Sequence, residues 1–184
     1  SVCYPAKLVH GHITALVNKG VNFIFYPCLP YELIEDESAN NHYNCPIVST
    51  YPEVIKNNMD EIFGDKVVFK APFLPFSNPA RMAERLGEEL PDIPKGEIKK
   101  AVKAAYAEVE RFKSDIRKEG ERVIKELNES GGQGIVLAGR PYHVDPEINH
   151  GIPEMINSYG FAVLTEDSVS HLDRVERPIR VVDQ

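Results

Sequence analysis

The stretch PAKLVHGHITALVNKGVNFIFYPC, residues 5–28, contains the pattern on which the fold prediction rests. Pro5 suits the first turn of a helix, and apolar residues then recur at helical spacing until Gly20 provides a stop. The apolar run 21–26 that follows is typical of a short buried strand, which Pro27 ends. The stretch therefore predicts a helix that turns directly into a strand.

The same alternation of helices and short apolar runs continues along the chain. Further strands are predicted at the apolar runs 46–49, 66–70, 134–138, 161–165 and 179–182. Helices are predicted over 50–63, from a cap at Ser77 or Asn78 to residue 90, and over 145–159 with Asp145 as N-cap. Such alternation is typical of βαβ units. We therefore expect an α/β fold in three layers, with a mainly parallel, doubly wound sheet of the Rossmann or flavodoxin-like type.

One long helix is expected to link the two halves of this fold. Residues 95–128 place apolar side chains three and four positions apart on an otherwise charged helix, so we expect one stripe to pack against the core. The chain then divides into a cysteine-bearing α/β half over 1–75, a helical linker over 76–130 and a second α/β segment over 131–184. Because the chain begins with Ser1 rather than Met, we expect one compact fragment of a larger protein.

The composition narrows the classes of function. The net charge of −7 disfavours a nucleic-acid partner, because phosphate binding needs a surplus of Lys and Arg. No apolar run approaches the ~18 residues that a membrane span needs, and no signal peptide is visible, so we expect a cytoplasmic protein without membrane contact. The sequence also lacks the motifs of phosphate-binding loops and of serine or zinc hydrolases. Any ATP-binding site would therefore belong to a separate module.

Cysteine usage is the feature that most needs an explanation. Cys3, Cys28 and Cys45 all lie in the first quarter of the chain, beside prolines and near a predicted helix start or strand end. An odd number does not suit a disulfide framework, and the spacings contain no CxxC pair of the zinc-ribbon kind. Three thiolates brought together would suit an iron–sulfur cluster, whose usual complement is four cysteines. Alternatively, the cysteines pack as small apolar side chains or remain free thiols.

A second group of candidate residues follows the apolar run 134–138. Arg140, Tyr142 and His143 lie in the loop that this strand would present at the carboxyl edge of the sheet, where doubly wound folds bind ligands. They could bind an anion or an acyl-CoA, with Arg140 pairing a phosphate or carboxylate. Alternatively, they only cap carbonyl groups and pack in a turn.

Four stretches of the chain combine unusual residues: CYPAKLVHGHI (3–13), FYPCLPYE (25–32), YNCPIVSTYPEVI (43–55) and GRPYHVDPEINHGIPEMI (139–156). They resemble the activase-related proteins of the 2-hydroxyacyl-CoA dehydratase system, within a CoA-enzyme activase domain of unknown function. The resemblance implies a doubly wound α/β domain that holds a [4Fe-4S] cluster through three cysteines. Carried over by position, those ligands are Cys3, Cys28 and Cys45.

The resemblance also implies a role and partners. An ATP-dependent activase module, or another domain of the parent protein, would deliver one electron to the cluster, which aerobic preparation can remove. The electron would then pass to an acyl-CoA-type substrate or to another redox centre, and the fragment is not expected to be active alone. Two alternatives stay open, a non-catalytic scaffold or docking domain with packed cysteines and a cluster-free domain that binds acyl-CoA or another anion.

Overall fold

A computed structural model describes residues 3–35, 37–63, 66–139 and 144–173. In chain order, the helices are α1 (Tyr4–Asn18), α2 (Pro46–Asn58), α3 (Pro79–Glu89), α4 (Lys95–Ser130), α5 (Pro146–Asn149), α6 (Ile152–Ser158) and α7 (Glu166–Val169). The strands are β1 (Phe23–Phe25), β2 (Val68–Lys70), β3 (Gly134–Leu137) and β4 (Ala162–Thr165). Short 3-10 helices cover Asp60–Ile62 and Ser170–Leu172.

The prediction of a three-layer fold with a doubly wound sheet is wrong for the described residues. Their strands form two separate parallel pairs, β1 with β2 and β3 with β4, and helices dominate the rest. The run 46–49, expected to be a strand, is instead the first turn of α2, because Pro46 suits the first helical position and starts the helix there. The expected strand over 179–182 lies outside the described residues.

The chain divides between Ala104 and Ala105, inside α4, into two compact units. Unit 1 contains α1, β1, α2, β2, α3 and the beginning of α4. Unit 2 contains the remainder of α4 and the elements from β3 to the 3-10 helix Ser170–Leu172. The three-part division expected from the sequence stays a prediction.

Unit 1 is built around a β1–α2–β2 connection. Phe23, Ile24 and Phe25 pair in parallel with β2, and α2 crosses between the two strands. Gly20, at φ 80°, makes the tight turn from α1 into β1, as the sequence predicts. The core of the unit comprises Ala6, Ile13, Ile24, Tyr51, Ile55, Met59, Ile62 and Val67. In α3 the prediction of Asn78 as N-cap is confirmed, because its side chain accepts a hydrogen bond from the backbone N–H of Arg81.

Unit 2 contains the second parallel pair, in which β3 and β4 match residue for residue from Gly134 with Ala162. Asp145 is confirmed as an N-cap, since its carboxylate accepts the backbone N–H of Glu147 at 2.9 Å. The prediction of a single helix over 145–159 is wrong. It breaks into α5 and α6 because His150 and Gly151 both adopt left-handed backbone angles, with φ of 53° and 78°.

The apolar stripe of α4 is buried only in part. Ile98 and Val102 are buried in unit 1 and Gly120 is buried in unit 2, whereas the Phe112 side chain is 63% exposed. The expectation that the whole stripe packs against a core is therefore wrong. The charged faces are stabilised by ion pairs one helical turn apart, Arg111 with Glu108 and Asp115, and Arg122 with Glu119 and Glu126. Within the described ranges, no helix is both long and apolar enough to cross a membrane.

Candidate functional site

Cys28 lies on a continuation of the β1–β2 pairing beyond the last residues of the two strands. Its backbone N–H donates to the carbonyl of Pro72 at 2.9 Å, and its carbonyl accepts the N–H of Leu74 at 3.0 Å. Pairing of Cys28 with Phe73 keeps the register of β1 with β2. The residue has no exposed surface. Cys28 therefore lies at the buried end of the paired strand, as the sequence predicts for its position.

Cys3 and Cys45 occupy equivalent positions on two helices. Cys3 is the N-cap residue of α1 and Cys45 the N-cap residue of α2, and each helix has a proline in its first turn. Both cysteines are exposed, and neither thiol caps a backbone N–H of its own helix. The amino end of a helix carries partial positive charge, which attracts an anionic ligand.

The directions of the elements in unit 1 put the three cysteines on the same side of the unit, although the described residues do not bring three metal-binding side chains together at one point. Because α1 turns tightly into β1, the two run in opposite directions and the amino end of α1 returns to the carboxyl end of β1. The chain direction of α1 matches that of α2 and the 3-10 helix after it. The His10 ring forms a hydrogen bond with the Tyr51 hydroxyl at 2.8 Å, and one turn further along α1 the Thr14 hydroxyl donates to the Glu61 carboxylate at 3.1 Å. The amino ends of the two helices therefore share one side. We call Cys3, Cys28 and Cys45 the cysteine edge.

The segment between Cys28 and Cys45 folds back on itself, so that its two ends meet. An antiparallel bridge joins Tyr31 and Tyr43, whose rings lie 4.9 Å apart. Further backbone bonds join Glu32 to His42 at 2.8 Å and Asn44 to Pro30 at 3.0 Å, and the Asn44 amide donates to the carbonyl of Leu29 at 3.0 Å. These contacts bring Cys45 close to the carboxyl end of β1.

Pro52, inside α2, shapes the surroundings of Cys28. Proline has no N–H, so the carbonyl of Val48 lacks its usual helical donor and instead accepts the N–H of Leu29 at 3.4 Å. The backbone N–H of Glu53 lies near the Cys28 thiol and acts to lower its pKa. Burial raises the pKa of Cys28, and the nearby Glu53 carboxylate acts in the same direction, so this thiol keeps its proton at neutral pH.

Two tyrosines lie beside the cysteine edge, which the sequence interpretation missed. Burial raises the pKa of Tyr26, and Cys28, Tyr51 and Cys45 act in the same direction, so all three lie within electrostatic reach of its phenol. Tyr51 is only 5% exposed and meets the His10 ring edge-on. The spacing of Tyr26 and Cys28 could have indicated that they lie together, because residues two positions apart share one face of an extended strand.

The second group of candidate residues is not tested by the structure. Arg140, Tyr142 and His143 lie outside the described residues. At the neighbouring end of β3, the Gly139 N–H donates to the Glu166 carboxylate at 3.3 Å.

The three cysteines do not form a metal site as the structure describes them. Among the residues that the structure describes, no group of three or more His, Cys, Asp or Glu could hold one metal ion. A four-iron cluster binds each thiolate at a different iron, so its ligands stand around it and not about one point. Cys28 would have to turn its sulfur outward from under α2.

Alkylation of the metal-free protein by iodoacetamide is expected to modify Cys3 and Cys45 quickly and Cys28 only after unfolding. Thiolate is the reactive form, and Cys28 reacts slowly because its side chain is buried and its pKa is raised. Mass spectrometry of peptides after timed alkylation in native buffer gives the three rates, with guanidinium-unfolded protein as the control. Equal native rates would contradict the burial of Cys28.

Comparison with known proteins gives one match. A model of the family described as CoA enzyme activase uncharacterised domain matches residues 1–169, which include all three cysteines and most of both units. No curated protein and no solved structure matches the chain.

Proposed function

This chain belongs to the CoA enzyme activase uncharacterised domain family, and from that premise we propose that it is an iron–sulfur-binding, electron-transfer-type domain. Cys3, Cys28 and Cys45 would hold a [4Fe-4S] cluster at the cysteine edge. One observation supports the proposal: Cys3 and Cys45 directly precede α1 and α2, Cys28 follows β1, and the directions of these three elements of unit 1 put the cysteines on the same side. The fourth iron would be open to another ligand.

The surroundings of the cysteine edge suit a redox group. Such a cluster accepts and returns one electron. The amino ends of α1 and α2 contribute partial positive charge toward the thiolates of Cys3 and Cys45, which offsets the negative charge of the thiolates and the cluster. Cys28, supported from below by the parallel strand pair, would anchor the third corner.

The partners of this domain are proposed from the same premise. An ATP-dependent activase module, or another domain of the parent protein, would supply the electron, and an acyl-CoA-type substrate or a second redox centre would receive it. Arg140, Tyr142 and His143 are proposed as contacts for an acyl-CoA or another anion. Three free cysteines are typical of a reducing compartment, which supports a cytoplasmic location. The net charge of −7 supports the absence of a nucleic-acid partner.

The complete burial of Cys28 favours a second candidate function. A scaffold or docking domain would keep Cys28 as a small apolar side chain in the strand pair and would need no metal. The two candidates differ in one measurable property, the uptake of iron.

Anaerobic reconstitution with iron and sulfide is expected to yield about four irons per chain, with a visible absorption band that dithionite bleaches. Cys28→Ala keeps a small side chain in the buried position, so it is expected to stay folded and to lose most of the iron. Cys3→Ala and Cys45→Ala test the exposed ligands without disturbing the core.

Circular dichroism of each variant separates loss of the ligand from loss of the fold. Tyr159→Phe, on an exposed ring in unit 2, is the matched control and should retain the wild-type iron content. Wild-type protein that takes up no iron anaerobically, or a Cys28→Ala variant with full iron content, would refute the proposed cluster and favour the scaffold.

A further inference from the structure

The segment between β1 and α2 carries an aromatic surface that the proposed function does not use. We call residues 30–44 of this segment the tyrosine hairpin, because Tyr31 and Tyr43 face each other across its antiparallel bridge. Directly opposed residues share one face of such a pair, and the two rings lie 4.9 Å apart. The His42 ring lies 5.3 Å from that of Tyr31. The three rings therefore form one patch.

This patch is open to solvent although its backbone is held in place. Tyr31 is 40% exposed and Tyr43 is 61% exposed, and Ile34, in the turn between the two arms, is 60% exposed. Backbone hydrogen bonds join the two arms on either side of the tyrosine pair. Connections as long as 26–45 without a helix or strand are uncommon in compact domains and usually carry a function. Exposed tyrosines in such a place are typical of an interaction surface, where this residue type is enriched.

The charge of the tyrosine hairpin indicates which partner it fits. It contains four acidic residues and no Lys or Arg, the acids being Glu32, Glu35, Asp36 and Glu37. This charge repels anionic ligands such as phosphates and acyl-CoA, and it also repels a second copy of this chain, whose net charge is −7. A cation is attracted both by carboxylates and by the faces of tyrosine rings, and the planar guanidinium group of arginine stacks on such rings.

We propose that the tyrosine hairpin is a docking surface for an arginine-bearing segment of a partner protein. A guanidinium group stacks on the ring of Tyr43, which is the more exposed of the two tyrosines, and the acidic turn attracts further basic side chains of the same segment. The inference goes beyond the proposed function and does not depend on it, because the docking needs neither a metal nor a thiol. It can therefore be tested on the metal-free protein.

The test is an NMR titration of the isotope-labelled protein with the peptide acetyl-Gly-Arg-Gly-Arg-Gly-amide. Shift changes are expected in the tyrosine hairpin and not in unit 2. Tyr43→Ala removes an exposed ring and is expected to raise the Kd of the peptide about threefold, which corresponds to one exposed cation–π contact. Tyr43→Phe keeps the ring and should bind as the wild type does. Tyr159→Ala removes a ring that is 73% exposed in unit 2, and this control should leave the Kd unchanged.

Three results would overturn the proposal. Shift changes spread over the acidic residues of both units, or an equal Kd for Tyr43→Ala and wild type, would show that net charge alone attracts the peptide. Shift changes in the hairpin with coenzyme A but not with the peptide would assign the rings to an anionic ligand, and concentration-dependent shifts without peptide would assign them to a second copy. If Tyr43→Ala does not fold, the wild type decides: weaker binding of the matching lysine peptide supports the proposal, and equal binding overturns it, because lysine has the charge without the planar group.

Discussion

Replacing Gly120 with alanine is expected to destabilise unit 2 by about 3 kcal/mol or more. A Cβ at this position would overlap the carbonyl oxygen of Ser168 and would lie 2.8 Å from its carbonyl carbon and 2.9 Å from its Cβ. The obstacle is mainly backbone, which cannot move aside as a flexible side chain could. Ser168 is itself buried, and its hydroxyl bonds the Thr165 carbonyl at 2.7 Å, so α7 is held where it is.

Replacing a helical glycine with alanine usually stabilises a protein, whereas at Gly120 it is expected to destabilise it. In an open helix interior, alanine stabilises relative to glycine by about 0.5–1 kcal/mol. Gly96, in the first turn of the same helix, has no atom within 4 Å of its Cβ position, so Gly96→Ala is the control without a clash and should not destabilise the protein.

Guanidinium unfolding and hydrogen–deuterium exchange check the Gly120 prediction. Peptides that cover β4 and α7 in the Gly120→Ala variant should exchange faster than in the wild type, while Gly96→Ala leaves them unchanged. A Gly120→Ala variant as stable as Gly96→Ala would show that α7 does not pack closely on α4.

Replacing Ile55 with alanine is expected to destabilise unit 1 by about 2–5 kcal/mol, the range for buried large-to-small substitutions. Ile55 has no exposed surface and belongs to the core that α2 contributes beneath the cysteine edge. The substitution leaves a cavity in the core of unit 1, to which α1 and β1 also contribute through Ile13 and Ile24.

The matched control for Ile55 is its neighbour Val54, which is 40% exposed on the same helix. Val54→Ala should change the free energy of unfolding by no more than about 0.5 kcal/mol. Guanidinium unfolding followed by circular dichroism measures both variants, and equal effects would contradict the assignment of the buried face of α2.

The Ile55 substitution also has a readout at the candidate site. A loss of 2 kcal/mol corresponds to about 30-fold more of the open form. If Cys28 becomes reactive only when α2 opens, Ile55→Ala should speed its alkylation by about that factor. The rates for Cys3 and Cys45, which are already exposed, should change little.

Local patterns predicted most of the individual elements. The helix before β1, its stop at Gly20 and the N-caps Asn78 and Asp145 are confirmed, because helix periodicity and capping depend on residues a few positions apart. The break between α5 and α6 was missed because His150, a non-glycine residue, takes the left-handed conformation. That conformation is uncommon outside glycine, and Gly151 alone did not reveal the break.

The sequence indicated which residues form the candidate site but not how they are arranged in space. The clustering of three cysteines early in the chain and the resemblance of the surrounding stretches indicated which residues to examine, and the family assignment agrees with that resemblance. Burial of Cys28 and the approach of Tyr26 and Tyr51 depend on contacts between β1, α1 and α2. Such contacts join residues that are far apart in sequence and leave no local signature.

By itself, the sequence determined the family, the positions of most helices and strands, and the three cysteines near one predicted edge. Only the tertiary structure decided that the strands pair in twos instead of joining one doubly wound sheet. It also decided that Cys28 is buried while Cys3 and Cys45 are exposed, and that α4 leaves Phe112 exposed. The physical reason is the range of the interactions: helix formation is decided within a few residues, whereas strand pairing and burial are decided by segments that meet only after folding.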